Sequence, residues 1–199
     1  MTSKGENIMI ILSSPSGVGK TTITKKLQQK YQNIKISISH TTRPPRSNEV
    51  DGVDYNFVSK KKFEDLIKAK KFYEYAKIFD NYYGTLKHNV DLDLKEKDIL
   101  FDIDWQGTKQ LSKYKNLNLV KFFLITDSKA ELKKRLLKRD QNTNEEVEKR
   151  FNAFDEDIKH WKDYDYVLIN KNLDTCFKQI EKIILEKKQK NFTFFHTTQ

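Results

Sequence analysis

The sequence predicts an α/β fold with a mostly parallel sheet flanked by helices, a small antiparallel insert and a helical lid. Short apolar runs rich in β-branched residues alternate with helical patterns, which is typical of a parallel sheet covered on both faces. Between them, aromatic-rich alternating segments favour antiparallel strands. We expect one domain over 1–199, with a core (8–36, 89–135 and 160–188), an insert (about 37–88), a lid (about 136–159) and a frayed tail (191–199).

Composition limits the classes of protein to which the chain can belong. Its 199 residues and 37% hydrophobic content suffice for one buried core, and a single cysteine, Cys176, excludes a disulfide framework. No apolar run approaches the roughly 20 residues that span a bilayer, and no signal-peptide core precedes the first strand, so we expect a cytoplasmic protein that does not bind a membrane. The net charge of +10 comes from lysines mixed with carboxylates, which favours a solvated surface and a nucleotide ligand over nucleic acid.

A predicted strand runs into a glycine-containing turn near the start of the chain. The apolar run 8–12 precedes the turn, which opens a helix and has the sequence Ser14-Pro15-Ser16-Gly17-Val18-Gly19-Lys20-Thr21-Thr22. Glycines can turn backbone N–H groups toward a polyphosphate, a lysine can reach its outer phosphates, and a threonine can hold Mg²⁺. The pattern G-x-x-x-x-G-K-[ST] begins with Ser14 here, so Ser14 must adopt the required backbone angles. The alternative is a chance turn rich in serine and glycine.

A constrained loop with two arginines follows the strand predicted at 34–39. Pro44 and Pro45 exclude a regular helix or a central strand there. Arg43 and Arg46 can bind a phosphate, since each guanidinium offers several donors in one plane. Exposed arginines can equally serve only to solvate the surface, so this feature alone does not decide between the two.

Carboxylates end the strand predicted at 98–104. In a chain with a phosphate loop, a carboxylate at the C-terminal end of a parallel strand suggests the acid that organises Mg²⁺ and its waters. The alternative is a plain strand-end turn. The four histidines lack metal-ligand spacing, so no zinc site is expected. Further strands are predicted at 52–58, 72–79, 82–86, 120–125 and 165–169.

Arginines flank a polar connection between two predicted helices. Arg135 and Arg139 lie four residues apart on one helix face, and Arg150 lies on the next helix, which starts at the capping box 143–146. This arrangement is expected of a lid that closes on phosphates. The alternative is a solvated hairpin of two helices.

Together these motifs resemble the guanylate kinase family, P-loop nucleoside monophosphate kinases that transfer the terminal phosphate of ATP to GMP. The resemblance spans about Met9 to Ile184 and implies ATP as donor, Mg²⁺ as cofactor, and GMP or dGMP as acceptor in purine nucleotide metabolism. It rests on 14–22, Ser39-His40-Thr41-Thr42-Arg43-Pro44-Pro45-Arg46, Asp54-Tyr55-Asn56-Phe57-Val58, Tyr82-Tyr83-Gly84-Thr85 and Asp102-Ile103-Asp104-Trp105-Gln106-Gly107.

The resemblance also implies roles for individual residues. It implies ATP binding by the loop 14–22 and by Asn170 near the adenine, and a metal site at Thr21 with Asp102 acting through water. The implied GMP-binding residues are Arg43, Arg46, Tyr55 and Tyr83 for the phosphate, Ser39, Glu74, Thr85 and Asp104 for the guanine, and Asp102. The implied catalytic residues are Lys20, Arg43, Arg135, Arg139 and Arg150.

The chain departs from the family's pattern at three places. Besides Ser14, it has Lys95-Glu96-Lys97 where a glycine is usual, and Lys171-Asn172 where acidic residues commonly follow Asn170. The first two concern the local backbone and the third the adenine side. None of them concerns the GMP side.

Three other functions compete with this interpretation. A related phosphokinase acting on a ribose phosphate would share the loop and the lid, but Glu74 and Thr85 suit a guanine edge. A non-catalytic module of the same lineage would bind phosphopeptides, but it would typically lose loop or lid residues such as Lys20. Binding of nucleic acid through the charge of +10 lacks a recognised module. Whether the protein is a monomer or a homo-oligomer stays open.

Overall fold

The computed structural model describes residues 7–138 and 143–196. Within those residues a five-stranded sheet forms the centre of the fold, and a four-stranded sheet lies beside it. In chain order the elements are β1 Met9–Ser13, α1 Lys20–Lys30, β2 Ile34–Ile36, β3 His40–Thr41, β4 Asn56–Phe57, α2 Lys60–Lys68, β5 Phe72–Ile78, β6 Asn81–Leu86, α3 Lys87–Asp93, β7 Asp98–Asp102, α4 Trp105–Leu111, β8 Leu119–Ile125, α5 Lys129–Leu137, α6 Asn144–Ile158, a 3-10 helix Lys159–Asp163, β9 Tyr166–Ile169 and α7 Leu173–His196.

The central sheet is parallel and has the strand order β2-β7-β1-β8-β9. Every residue of β1 is buried, because helices cover both faces of the sheet. Ile10 and Leu12 pack on one side with apolar residues of α1, α5, α6 and α7. Met9 and Ile11 pack on the other side with residues of α3 and α4. The predicted α/β class is therefore confirmed.

The second sheet has the order β4-β3-β6-β5 and is mostly antiparallel. The exception is the pair β3 and β4, which run parallel. The strand predicted at 34–39 is shorter in the structure: β2 ends at Ile36 in the central sheet, 37–39 belong to no strand, and β3 begins at His40 in the second sheet. The chain thus passes from one sheet to the other through the second half of the predicted strand.

The last helix is longer than expected. The frayed tail expected from Asn191 is not seen over 191–196, where α7 continues to His196. No glycine or proline occurs between Leu173 and His196, so nothing in the sequence ends the helix earlier. Residues 197–199 lie outside the described part of the chain, and the division into core, insert and lid stays a prediction. Across the residues that the structure describes, no helix has the length and apolarity needed to cross a membrane.

Candidate active site

The phosphate loop connects β1 to α1 at the C-terminal edge of the central sheet. The φ angles of Gly17 and Gly19 are 89° and 104°, in the left-handed region that glycine adopts without steric strain. A Cβ atom at Gly17 would lie 2.9 Å from Leu136 Cδ2, and one at Gly19 would lie 2.8 Å from Asn170 Nδ2. The first N–H groups of an α-helix lack intrahelical acceptors, so the loop and the start of α1 together offer donors to an anion.

The serine at the first loop position does not strain the loop. Among residues 7–138 and 143–196, positive φ outside glycine occurs only at Lys70 and Phe79. Ser14 is therefore outside the left-handed region, and its hydroxyl donates to the Pro15 carbonyl at 2.9 Å. The turn at 95–97 likewise needs no glycine. Both backbone departures from the sequence pattern are thus compatible with this fold.

Lys20, Thr21 and Asp102 meet where the loop faces the end of β7. Lys20 Nζ lies 2.5 Å from Asp102 Oδ1 and donates to the Ile103 carbonyl at 3.0 Å. Thr21 Oγ1 lies 3.4 Å from Asp102 Oδ2. One hydroxyl and one carboxylate leave most of a coordination sphere to waters and phosphates, which is how Mg²⁺ is usually held at nucleotide sites. The donors present therefore fit this ion.

Arginines of α5 and α6 contact the loop directly. Arg135 donates to the carbonyls of Val18 and Asn170 at 3.4 and 3.2 Å, and its Nε lies 2.8 Å from Glu131 Oε1. Arg150 Nη1 donates to Ser16 Oγ at 3.2 Å. The two helices thus bring positive charge against the segment that would hold a polyphosphate.

A second cluster of donors lies in the loop between β3 and β4. Arg43 Nη2 donates to both oxygens of Glu49 at 2.8 and 2.9 Å, and the guanidinium lies 5.4 Å from the ring centroid of Tyr55. The backbone N–H of Arg46 donates to the same carboxylate at 2.8 Å. The rings of Tyr55 and Tyr83 meet edge to face at 6.0 Å. The two arginines and two tyrosines predicted for a phosphate therefore lie together.

A buried carboxylate occupies the space between the second sheet and α4. Glu74 of β5 is only 3% exposed and is the register partner of Thr85 on β6, whose hydroxyl lies 3.4 Å from Ser39 Oγ. Asp104 caps α4 by accepting from the Gly107 N–H at 3.0 Å. Within the described residues, Glu74 Oε1 has no hydrogen-bond partner. An unpaired buried acceptor of this kind suits a ligand that supplies donors.

Electrostatic coupling ties the two clusters to the phosphate loop. Burial raises the pKa of Glu74 to about 7; the charge of Asp104 adds to the rise, and Thr85 and Lys20 oppose it. Burial likewise raises the pKa of Tyr55 to about 12, and the charge of Asp102 contributes. Tyr55 therefore keeps its proton at neutral pH and can donate it in a hydrogen bond. The phosphate loop, the arginine cluster (Arg43, Arg46, Tyr55 and Tyr83) and the buried pocket (Ser39, Glu74, Thr85 and Asp104) therefore belong to one site.

Almost the whole chain matches one known protein family. The family model described as guanylate kinase matches residues 6–187. The chain belongs to the guanylate kinase family. The guanylate kinase of Rickettsia felis is 44% identical over 193 residues, covering 96% of this chain and 100% of that relative. The guanylate kinase of Paramagnetospirillum magneticum is 41% identical over 190 residues, covering 95% and 89%.

A solved guanylate kinase has the same fold as this chain. The crystal structure of guanylate kinase from Anaplasma phagocytophilum matches with a TM-score of 0.76 and 30% identity, over 92% of this chain and 86% of that one. A guanylate kinase is an enzyme that uses ATP to phosphorylate GMP, so the predicted family, nucleotide substrates and kinase activity are confirmed.

The structure places most of the predicted guanylate kinase residues in one site, with two qualifications. Arg139 lies outside the described residues. Asn170 is 2% exposed, and its Nδ2 donates to the Val18 carbonyl at 2.7 Å, so it braces the phosphate loop. Its contact with adenine stays a prediction, as do the individual roles of the other residues.

Two acidic residues of the site were not predicted from the sequence. Glu49 lies in the arginine loop, six residues after Arg43. Because two prolines bend the backbone between them, the sequence spacing does not indicate that the two side chains meet. Asp157 lies on α6, where burial, followed by the charge of Asp104, raises its pKa to about 6. Asp157 lies seven residues after Arg150, so both are on one face of α6. This spacing is the sequence signal that could have placed Asp157 near the site.

Replacing Glu49 by glutamine tests its role at the arginine cluster. We expect Glu49→Gln to raise the KM for GMP about tenfold, because charge-assisted hydrogen bonds that fix Arg43 and the Arg46 backbone are lost. The KM for ATP should stay unchanged in steady-state kinetics. Glu186→Gln, at an exposed ion pair of α7, is the matched control. Tighter GMP binding in Glu49→Gln would instead mean that Glu49 competes with the phosphate for Arg43.

Proposed function

We propose that the protein transfers the terminal phosphate of ATP in line to GMP or dGMP, with Mg²⁺ bound at Thr21 and with Asp102 acting through water, as a cytoplasmic enzyme of purine nucleotide metabolism. The observation that carries the acceptor's identity is the buried Glu74 carboxylate, whose Oε1 lacks a partner within the described residues. The charges of Asp104 and Lys20 act on this carboxylate, and the charge of Asp102 acts on Tyr55 of the arginine cluster. We therefore assign the base to the surroundings of Glu74 and the reacting phosphate to the space between Arg43 and Lys20.

Guanine suits this pocket because of its pattern of donors and acceptors. It offers N1–H and N2–H₂ as donors beside the acceptor O6. Glu74 can therefore accept from the ring while the Thr85 hydroxyl donates a hydrogen bond to O6. Adenine would leave the buried carboxylate without donors, and a mispaired buried polar group costs about 1–3 kcal/mol, more when it is charged. The pocket therefore discriminates through unmet hydrogen bonds as well as through shape.

The acceptor phosphate is held by charged and hydroxyl donors. Arg43 and Arg46 supply positive charge, and the hydroxyls of Tyr55, whose pKa burial raises to about 12, and of Tyr83 supply hydrogen bonds. No general base is required, because a phosphate monoester with a second pKa of about 6 is already mostly dianionic. These residues act by positioning the attacking oxygen.

On the donor side, the loop and its lysine bind the polyphosphate. Lys20 exchanges its contact with Asp102 for the outer phosphates, and Asp102 is then free to hold metal-bound waters. When bound, Mg²⁺ neutralises charge on the transferring group. Arg135, Arg150 and, by the sequence pattern, Arg139 add positive charge around the reacting oxygens, so catalysis rests on positioning and charge neutralisation.

A panel of nucleoside monophosphates tests the proposal. We expect turnover of GMP and dGMP with ATP in a coupled assay, and values of kcat/KM lower by about 10³ or more for AMP, CMP and UMP, since a site built on hydrogen bonds strongly rejects a base that lacks them. Omitting Mg²⁺ should abolish turnover. Equal rates across the panel would contradict the GMP assignment, and a chain that binds GMP without turnover would be a binding module.

A further inference from the structure

Helix α4 packs directly on strand β5, the edge strand of the second sheet. Gln110 binds the backbone of Tyr75 twice: its Oε1 accepts from the Tyr75 N–H at 3.2 Å, and its Nε2 donates to the Tyr75 carbonyl at 2.6 Å. Gly107 lies three residues before Gln110, on the same face of the helix. It therefore faces Glu74, the neighbour of Tyr75 on the strand.

The contact leaves no room for a side chain at residue 107. A Cβ atom there would lie 2.5 Å from Glu74 Oε2 and 3.1 Å from Glu74 Cδ, with Ile103 Cδ1 at 3.2 Å. The φ angle of Gly107 is not positive, so its backbone conformation would accept alanine. Glycine is therefore needed here for space and not for conformation.

Gly107 contacts both carboxylates of the buried pocket. Its N–H donates to Asp104 Oδ1 at 3.0 Å, and its missing side chain leaves the volume that Glu74 Oε2 occupies. The other oxygen of Glu74 is the one that lacks a partner among the described residues. One residue thus sets where two acids from two different elements lie relative to each other.

We propose that Gly107 is a specificity-determining position of the GMP site: the absent side chain fixes the position of the Glu74 carboxylate and so its fit to the guanine edge. The inference rests on the proposed function, because it concerns the base that Glu74 contacts. It assigns Gly107 a positioning role, in which it acts on the substrate through Glu74 and Asp104.

Gly107→Ala is the direct test. We expect the KM for GMP to rise about tenfold, as for a displaced hydrogen-bond acceptor, with the KM for ATP unchanged within about twofold. The ratio of kcat/KM for GMP over IMP, which lacks the 2-amino group, should fall about tenfold. Alanine is a better helix former than glycine, so a position with a purely helical role would give a more stable protein with unaltered GMP kinetics. Lys109→Ala, on the exposed side of α4, is the matched control.

Shortening the acid provides a rescue experiment. Glu74→Asp withdraws the carboxylate by one methylene, about 1.5 Å, which removes the clash with a Cβ at residue 107. We therefore expect Gly107→Ala to change the KM for GMP by less than about twofold when it is combined with Glu74→Asp. Thermal unfolding and ATP binding show whether each variant is folded.

Each result bears on one of the two proposals. Wild-type protein that does not turn over GMP contradicts the proposed function itself. Normal wild-type turnover with unaltered Gly107→Ala kinetics overturns the inference, as does an equal cost of Gly107→Ala with and without Glu74→Asp. If Gly107→Ala alone fails to fold and the double variant folds, the clash with Glu74 is supported. If both fail to fold, Gly107 serves the fold alone and the inference is wrong.

Discussion

Lys20→Ala lowers kcat by about 10³ or more while GMP still binds. The amino group is the one side-chain cation that the loop itself carries, and removal of a single preorganised charge at a transferring group costs about 10²–10³ or more. GMP contacts lie on the other side of the site, around Arg43 and Glu74. Single-turnover transfer from ATP and calorimetric titration with GMP separate the two effects.

The matched control for Lys20→Ala is Lys26→Ala on the same helix. Lys26 pairs with the exposed Asp174 at 2.5 Å and is remote from the loop, so its loss should leave kcat unchanged. Lys20→Met keeps most of the side-chain volume and should be as inactive as Lys20→Ala, since the charge is what is missing. A Lys20→Ala protein that retains wild-type kcat would remove the phosphate loop from the mechanism.

Glu74→Gln has two opposite consequences. It lowers kcat/KM for GMP by about 10², because an amide presents donors to the donors of guanine. It also stabilises the nucleotide-free protein above pH 7 by about 2 kcal/mol, since an uncharged group replaces a buried carboxylate. The buried carboxylate of Glu74 therefore favours GMP binding and lowers the stability of the folded protein.

The dependence on pH follows from the raised pKa of Glu74. The folded state holds the proton up to about pH 7, whereas the unfolded chain releases it near 4.5. The stability that this proton contributes is complete below pH 4.5 and is lost as the pH rises through about 7. Chemical unfolding between pH 5 and 8.5 should show this loss in the wild type and a smaller loss in Glu74→Gln.

The control for this measurement is Glu64→Gln on α2. Glu64 is half exposed and lies 3.9 Å from Lys60, so its replacement should leave both the pH profile and the GMP kinetics unchanged. Equal pH profiles for the wild type and Glu74→Gln would show that Glu74 is not the titrating group.

Local sequence was sufficient to predict those parts of the fold and site that a single segment of the chain forms. The loop 14–22 contains its own strand end, glycines, lysine and helix start, so its geometry could be predicted without its partners. The buried run of β1 could be assigned to a covered parallel sheet for the same reason. The carboxylate Asp102 could be predicted at the sheet edge because parallel strands end together.

Features that depend on distant pairing could not be derived from local pattern. The segment 34–39 alternates evenly, but only Ile34–Ile36 forms a strand of the central sheet, and the second sheet begins after the segment at His40; this depends on the partners β7 and β6. Glu49 is paired through a bent loop whose path no periodicity describes. Asn170 supports Val18 across 152 residues of sequence. In each case the deciding contact is between segments that are remote in the chain.

Two cations at the proposed ATP site form ion pairs with carboxylates of the same chain. Lys20 lies 2.5 Å from Asp102, and Arg135 lies 2.8 Å from Glu131. A polyphosphate that binds Lys20 competes with Asp102 for its charge, and one that binds Arg135 shares the guanidinium with Glu131. This competition reduces the net attraction for any polyphosphate and lowers the barrier to its departure. The carboxylates paired with these cations therefore favour rapid product release over tight retention.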